Sequence, residues 1–321
     1  MKTALVGDIG GTNARLALWQ DGQLADVRVL ATADFPRPED AVRSYLEQIG
    51  RTVESLEAVC LACAGPVGGD EFRFTNNHWR LSRSAFCEEL GVRDLLLIND
   101  FAAMALGMTR LQPGESVAVC DGVSEPGRPR LVIGPGTGLG VATLLPLSNG
   151  GWSAIPGEGG HICLPVGTER EAALWTHVHR AIGHVNAEAI LSGGGLRALY
   201  RASCALDGRE ASLQSPADVT AAALAGDTYA QAVLDQFCCW LGRVVGDNVL
   251  TVGARGGVYI VGGVVPRFAD FFLRSGFVRS MRDKGSMSRY FDGIPVWLVT
   301  AEYPGLEGAG VALQQVMDSR R

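Results

Sequence analysis

The sequence predicts a duplicated α/β fold in two lobes with a cleft between them, and three observations lead to this prediction. The chain has 321 residues, of which 47% are hydrophobic, so it is long enough for about two domains with their own cores. Residues 3–19 predict a strand, a Gly-rich turn and a second strand, and residues 130–145 repeat that order. The rest of the second half is mainly helical. Two lobes on one plan would place their Gly-rich turns on opposite sides of the cleft.

The remaining elements follow from apolar periodicity and from turn residues. In the first half we predict strands at 23–30, 58–64 and 95–98, and helices at 38–48, at 82–90 and through Met104. In the second half we predict helices at 169–181, 187–191, 196–205, 216–224 and 227–251, strands at 258–261 and 295–300, and a final helix at 306–317.

The domain organisation follows from the order of these elements. We predict a small α/β domain at 1–109 and a larger α+β domain at 110–304, because a connection near residues 107–112 separates the two repeats. The C-terminal helix, within 305–321, would pack back on the small domain. Its opening sequence PGLEGAG contains three glycines, which allow a close approach of backbone.

Charge and composition exclude two classes of function. The net charge of −6 repels polyanions and no Lys/Arg cluster counters it, so we expect no nucleic-acid partner. No apolar run approaches the ~20 residues of a membrane span, and the N-terminus lacks a signal-peptide cleavage site. We therefore expect a cytoplasmic protein without membrane association. The pair Cys60 and Cys63 lacks a second pair for a zinc site, so we interpret both as buried strand residues.

The first Gly-rich turn carries the strongest local signal for chemistry. Because glycine has no Cβ, successive backbone N–H groups can converge on phosphate oxygens, and the hydroxyl of a threonine can donate to them. A preceding aspartate can hold Mg²⁺ directly or through water. The turn therefore predicts a site for ATP and Mg²⁺, although its residue types also suit a plain β-hairpin. The residues concerned are Asp8, with Gly10, Gly11, Thr12 and Asn13.

The second Gly-rich turn repeats this chemistry. It offers Gly136, Thr137 and Gly138 at the position equivalent to the first turn, so the two turns would clamp a phosphate chain from both lobes. A third glycine pair, Gly262 and Gly263, follows a late apolar strand. It would lie against the adenosine, or else form only a strand-to-helix turn.

Other phosphate-loop patterns are absent or weak. The chain contains no GxxxxGK[ST] sequence, and neither Gly-rich hairpin fits GxGxxG in register. Residues 193–198 match the looser GxGxxA form, but they follow a predicted helix rather than a strand. We interpret this segment as a connection between helices.

Two polar residues, Asn99 and Asp100, stand where the strand at 95–98 ends. Asp100 is our candidate for the catalytic base. As the alternative, it could merely cap a helix at 101–106, since aspartate is favoured at that position. The two roles do not exclude each other.

Seven motifs in order give the chain a resemblance to a known family. They are DIGGTN, LLIND, GPGTGLG, GEGGH, GHVNAEAILSG, VGGVVPRF and the terminal PGLEGAG. Together they resemble the bacterial glucokinase family, within the wider group of sugar kinases, heat-shock ATPases and actin. The resemblance spans residues 4–315 and implies an actin-like (ribonuclease H-like) fold. It also implies ATP-dependent phosphorylation of glucose at the C6 hydroxyl, and a homodimer.

The resemblance also implies the sugar-binding residues. Asn99 and Asp100 match the strand-end pair of the family, with the aspartate facing the hydroxyl that is phosphorylated. Glu158 and His161 match its GEGGH motif, and Glu188 matches the acidic residue after GHV. Carboxylates and a histidine suit a hexose, because each sugar hydroxyl both donates and accepts hydrogen bonds. The loop TNNHW at 75–79 resembles a sugar-facing loop of the family, but its doubled Asn leaves the register open.

Three rival functions share parts of this pattern. They are a kinase for another hexose or for an N-acetylhexosamine, a sugar-sensing regulator without activity, and an actin-like or chaperone ATPase. Sugar kinases and repressors of the ROK family resemble the chain in DIGGTN and GEGGH, but they usually add a cysteine-rich zinc motif. Here His161 is followed by ICLPVGTEREAA, which favours the zinc-free glucokinase branch.

Overall fold

The computed structural model describes residues 3–65, 67–148 and 150–319. The first half of the described chain contains β1 (Thr3–Ile9), β2 (Asn13–Gln20), β3 (Gln23–Ala31), α1 (Pro38–Gln48), β4 (Leu56–Cys63), β5 (Glu71–Arg73), β6 (Arg80–Ser82), α2 (Arg83–Leu90), β7 (Asp94–Asn99), α3 (Asp100–Gly107), β8 (Ser116–Cys120), β9 (Arg130–Pro135), β10 (Leu139–Pro146) and β11 (Trp152–Gly157).

The second half is mainly helical, as predicted. It contains α4 (Glu169–Ile182), α5 (Gly193–Leu206), α6 (Pro216–Leu224), α7 (Thr228–Val252), β12 (Val258–Ile260), α8 (Ala269–Arg274), α9 (Phe277–Arg282), β13 (Val296–Val299) and α10 (Pro304–Ser319). Short 3₁₀ turns lie between them, one of which is Gly159–His161.

The two large sheets repeat one topology, which confirms the predicted duplication. The first sheet has the strand order β3-β2-β1-β4-β7, and the second has the order β11-β10-β9-β12-β13-β8. In each, an antiparallel hairpin (β1 with β2, or β9 with β10) is followed by parallel strands (β4 and β7, or β12 and β13). The fold is the two-domain α/β fold predicted from the sequence.

The chain divides into two compact units. The first comprises residues 1–112, 152–156 and 301–321, and the second comprises 113–151 and 157–300. Each unit has a hydrophobic core of its own, formed by Leu5, Leu16, Tyr45 and Phe86 among others in the first. The core of the second includes Ile133, Phe237 and Trp240. Among the described residues, no helix is both long and apolar enough to cross a bilayer.

Within the first unit, α10 packs tightly on α3, and glycines make the contact possible. A Cβ on Gly308 would lie 1.6 Å from the carbonyl oxygen of Ala103, and one on Gly107 would lie 2.0 Å from that of Pro304. Any side chain at either position would therefore clash with backbone. The close approach that we predicted for PGLEGAG is observed, and it brings the N-terminus of α10 to the end of β1.

Two local predictions and one alternative were wrong. Residues 187–191 form turns rather than a helix. The glycines at 193–195 are not a connection but the first turn of α5, because the Oγ of Ser192 accepts a hydrogen bond from Gly195 N at 3.0 Å. The cap of α3 is Asn99 rather than Asp100, since the Oδ1 of Asn99 accepts from Ala102 N. The strands β5, β6, β8 and β11 had no counterpart in our prediction.

Candidate active site

The first Gly-rich turn joins β1 to β2 in a tight hairpin. Gly10 N donates to the carbonyl oxygen of Asn13 at 2.9 Å, and Thr32 ties the outer side of the turn by donating to Gly11 O and Thr12 O, each at 2.9 Å. The side chain of Thr12 is exposed at the tip. The turn therefore presents a hydroxyl and backbone from a fixed frame, which is the arrangement predicted for phosphate binding.

The TNNHW loop packs against this turn and explains one of its two asparagines. The side-chain nitrogen of Asn77 donates to Gly10 O at 3.1 Å, and its oxygen accepts from Trp79 N at 2.9 Å. Both ends of that amide are therefore engaged in holding the loop on the hairpin. Asn77 thus supports the first turn, and the backbone of Asn76 lies against it, since a Cβ on Gly11 would come within 2.8 Å of Asn76 O.

Asp8 lies next to the last residue of β1, and its carboxylate is close to Arg15, Asp100 and the backbone of Gly305. Arg15 Nη1 is 3.5 Å from Asp8 Oδ2, and a methyl group on Gly305, in the first turn of α10, would come within 3.1 Å of the same oxygen. Burial raises the pKa of the Asp8 carboxyl, Arg15 lowers it, and the neighbouring carboxylate of Asp100 raises it. Because burial and a second carboxylate both disfavour the charged form, a divalent cation would fit here.

The strand-end pair lies in the turn from β7 into α3. Both ends of the Asn99 side-chain amide make hydrogen bonds within the protein. Its oxygen caps α3, and its nitrogen donates to Gly65 O at 3.3 Å. Asp100 is the first residue of α3, and its Oδ1 accepts from Phe101 N at 2.8 Å. This bond orients the carboxylate at the positive end of the helix. Asn99 therefore caps α3, and the bond from Phe101 N holds the carboxylate of Asp100 in place.

The second Gly-rich turn joins β9 to β10 and matches the first. Gly136 N donates to Gly138 O at 2.7 Å, and Thr137 is exposed at the tip as Thr12 is in the first turn. The N-terminus of α5 contacts this turn, because Gly193 N donates to Gly136 O at 2.9 Å. Helix N-termini favour anions, so a phosphate bound at this turn would also lie near a favourable helix end.

The third glycine pair also lies against the second turn. Gly262 has φ +87°, in the left-handed region, and a Cβ there would meet Pro135 O at 2.5 Å. Val264 N donates to the same carbonyl oxygen at 3.3 Å. The segment that follows β12 is therefore bonded to the hairpin, and Gly263 next to it is exposed.

Glu188 connects the second turn to the GEGGH segment. Its carboxylate accepts from Leu139 N at 2.8 Å, and a Cβ on Gly138 would lie only 2.3 Å from Oε2, so a side chain there would displace the Glu188 carboxylate. The backbone N–H of Glu188 donates to Gly160 O at 2.9 Å. Glu188 therefore connects the second Gly-rich turn to the 3₁₀ turn at 159–161.

Glu158 directly precedes that 3₁₀ turn, and His161 is its last residue. His161 Nε2 and Glu158 Oε2 are 3.9 Å apart, and both side chains are more than half exposed. The distance is too long for a direct hydrogen bond but leaves both groups free to bind one ligand hydroxyl. On its other side, His161 Nδ1 is 3.0 Å from the amide nitrogen of Asn186.

The predicted site residues are divided between the two units. The first unit holds the turn at 10–13 with Asp8, Asn99 and Asp100, and the second holds the remaining ones. Two participants were missed: Asn186, and the N-terminus of α10 beside Asp8. Asn186 lies inside the GHVNAE motif, but only its contact with His161 distinguishes it from an ordinary polar turn residue.

The chain resembles known proteins along nearly its whole length. A family model described as glucokinase matches residues 5–316. Glucokinase of Pseudomonas paraeruginosa is 56% identical over 317 residues, covering 98% of this chain and 94% of the relative. Glucokinase of Chromobacterium violaceum is 46% identical over 311 residues, covering 96% and 88%.

Solved structures give the same result. A glucokinase from an Antarctic psychrotroph superposes with a TM-score of 0.87 at 35% identity, covering 98% of this chain and 99% of that one. The glucokinase of Balamuthia mandrillaris, solved in complex with glucose, shares the fold at a TM-score of 0.80 and 24% identity, covering 97% and 94%. The family prediction made from the sequence is confirmed: the chain belongs to the glucokinase family.

Proposed function

We propose that the protein transfers the γ-phosphoryl group of ATP to the C6 hydroxyl of glucose, giving glucose 6-phosphate and ADP. The observation that carries this proposal is that Glu188 makes two hydrogen bonds to different parts of the proposed site. Its carboxylate accepts from Leu139 N, next to the second Gly-rich turn, and its backbone N–H donates to Gly160 O, in the 3₁₀ turn beside Glu158 and His161. A sugar kinase needs phosphate-binding and hydroxyl-binding elements joined in this way. An actin-like ATPase has no use for the second element.

Asp100 would align the C6 hydroxyl and accept its proton. Its carboxylate is held by Phe101 N at 2.8 Å, so it need not reorganise when the hydroxyl arrives. Phosphoryl transfer passes through a loose transition state in most analyses, so alignment and charge matter more than base strength. The proton would move to the carboxylate late, as the new oxygen–phosphorus bond forms.

The phosphate groups of ATP would be bound by the Gly-rich turns with Thr12 and Thr137. Asp8 is the residue that would hold Mg²⁺, since its carboxylate lies close enough to that of Asp100 for the two to act on each other, and a divalent cation would offset both charges. When bound, the ion would neutralise charge on the phosphates. Gly262 and Gly263, bonded to the second turn, would lie near the adenosine.

Glucose would be bound by Glu158, His161 and Glu188, together with Asn99 and Asp100. A hydroxyl placed between His161 Nε2 and Glu158 Oε2, which are 3.9 Å apart, can accept from the imidazole and donate to the carboxylate. The relative from Pseudomonas paraeruginosa is named glucokinase, and this chain matches 94% of its length. This similarity supports glucose as the substrate. We also propose, from the resemblance to the glucokinase family, that the protein is a cytoplasmic homodimer.

A panel of sugars assayed with ATP and Mg²⁺ tests the proposal. We expect the highest kcat/KM on glucose, with lower values on mannose, fructose and N-acetylhexosamines. Turnover on one of those sugars but not on glucose would assign the protein to a different hexose kinase. Tight sugar binding without turnover would indicate a regulator.

Glu158→Gln is expected to raise the KM for glucose by ~10- to 100-fold, because a hydrogen bond to a charged group is lost from a sugar hydroxyl. The kcat should fall less, since this side chain does not contact the transferred group. Steady-state kinetics with glucose varied at saturating ATP provide the measurement. Glu169→Gln, on the exposed first turn of α4, is the matched control. An unchanged KM in Glu158→Gln would remove the residue from the sugar site.

A further inference from the structure

Asn186 is the residue beside the proposed site whose role no motif assigns. Its side chain makes two hydrogen bonds of different kinds: the oxygen Oδ1 accepts from Ala189 N at 2.9 Å, and the nitrogen Nδ2 lies 3.0 Å from Nδ1 of His161. Asn186 is half-buried, whereas about half of the His161 side chain is exposed. Asn186 therefore contacts the imidazole at Nδ1, and Glu158 lies nearer to Nε2.

The first of these bonds fixes the orientation of the amide. A backbone N–H can only donate, so the atom that Ala189 N contacts must be the amide oxygen. The other end of the amide is then the NH₂ group, which can only donate. The group it faces, Nδ1 of His161, must accept, and it therefore carries no proton.

We infer that Asn186 is a positioning residue that holds His161 as the neutral tautomer protonated on Nε2. In this tautomer the Nε2–H is a donor on the ring nitrogen that Asn186 does not contact. Glu158, at 3.9 Å, supplies the matching acceptor. A sugar hydroxyl at this place would meet one donor and one acceptor in defined positions, so its own proton must point to Glu158. This step rests on the proposed binding of glucose by His161.

The backbone around Asn186 keeps this geometry before a ligand arrives. Residues 160–164 run antiparallel to 185–188, with bonds from Leu164 N to Val185 O at 3.2 Å, and from Ala187 N to Ile162 O at 2.8 Å. Cys163 and Asn186 form the bridge at the centre of this short ladder. The ladder sets the distance between the amide and the imidazole, and this pre-organisation reduces what binding must order.

Nitrogen NMR of the labelled protein tests the tautomer without any sugar or nucleotide. In a long-range proton–nitrogen spectrum at mildly alkaline pH, where histidines are neutral, we expect His161 to show a protonated Nε2 and a bare Nδ1. The His161 signals are identified by their loss in His161→Gln. A proton on Nδ1 in the wild-type protein would overturn the inference, whatever the protein's activity on glucose.

Asn186→Asp tests the consequence for glucose. The carboxylate still accepts from Ala189 N, so the turn keeps its cap, but it can only accept from the imidazole and favours a proton on Nδ1. We expect the NMR pattern of His161 to change and the KM for glucose to rise ~10-fold, with the KM for ATP unchanged. In a His161→Gln background the same substitution should alter the KM for glucose by less than ~2-fold.

The two backgrounds separate positioning from structural damage. An equal rise of KM in both backgrounds would show that Asn186 acts independently of His161, and it would overturn the inference. If His161→Gln itself leaves the KM for glucose unchanged, the proposed sugar-binding role of His161 fails. The NMR result on the wild-type protein still decides the tautomer in that case.

Discussion

Replacing Asp100 with Asn is expected to lower kcat on glucose by ~10²- to 10⁴-fold, the range expected for loss of a general base. The amide can still accept from Phe101 N, which in the native protein donates to Asp100 Oδ1 at 2.8 Å, so α3 should begin as before. It cannot take the proton of the hydroxyl. The KM for glucose should change little, because the other proposed sugar contacts remain.

Asp94→Asn is the matched control for this experiment. Asp94 is the first residue of β7, the strand that ends next to Asp100, and it undergoes the same chemical change away from the site. The control variant should keep wild-type kcat and KM. Near-normal turnover in Asp100→Asn would remove Asp100 from the catalytic role.

Replacing Asp8 with Asn is expected to have two opposite effects. Turnover should fall by ~10²-fold or more, because the carboxylate proposed to hold Mg²⁺ is lost where the phosphate charge must be stabilised. In the absence of Mg²⁺ and ATP, however, the variant should unfold at a higher temperature than the wild-type protein. The reason is that burial raises the pKa of Asp8, so its charged form is disfavoured in the folded state.

The pH dependence of stability checks the second effect. A carboxyl whose pKa is higher in the folded protein than in the unfolded chain stabilises the fold only while it is protonated, and this contribution is lost as the pH rises through the folded pKa. The wild-type protein should therefore lose stability relative to Asp8→Asn over that range. If the variant is less stable at every pH, then Arg15 and the N-terminus of α10 favour the carboxylate more than burial opposes it.

Elements whose ends are set by local chemistry were predicted well. The helices α1 and α6 have the predicted bounds, 38–48 and 216–224, and both carry proline in the first turn. At α6, Ser215 and Asp218 also form a capping box. The duplicated strand–turn–strand pattern was visible for a similar reason, since apolar runs around a Gly-rich turn need no distant partner to be recognised.

Features that depend on distant partners could not be predicted. The glycines at 193–195 resembled a loop, yet they form a helical turn capped by Ser192, and a Cβ on Gly195 would lie 2.3 Å from Ile190 O. Residues 152–156 belong to the first unit through contacts far along the chain. The sugar-site candidates came only from family resemblance, because a lone Glu or His in a Gly-rich turn has no pattern of its own.

The most direct test of the central claim is the identity of the product. Glucose incubated with the protein, ATP and Mg²⁺ should give glucose 6-phosphate and ADP in equal amounts, with the ester at C6 located by phosphorus–proton correlation NMR. The same reaction with Asp100→Asn should yield only a trace in the same time. A phosphate ester on another carbon, or release of ADP without any sugar phosphate, would contradict the account.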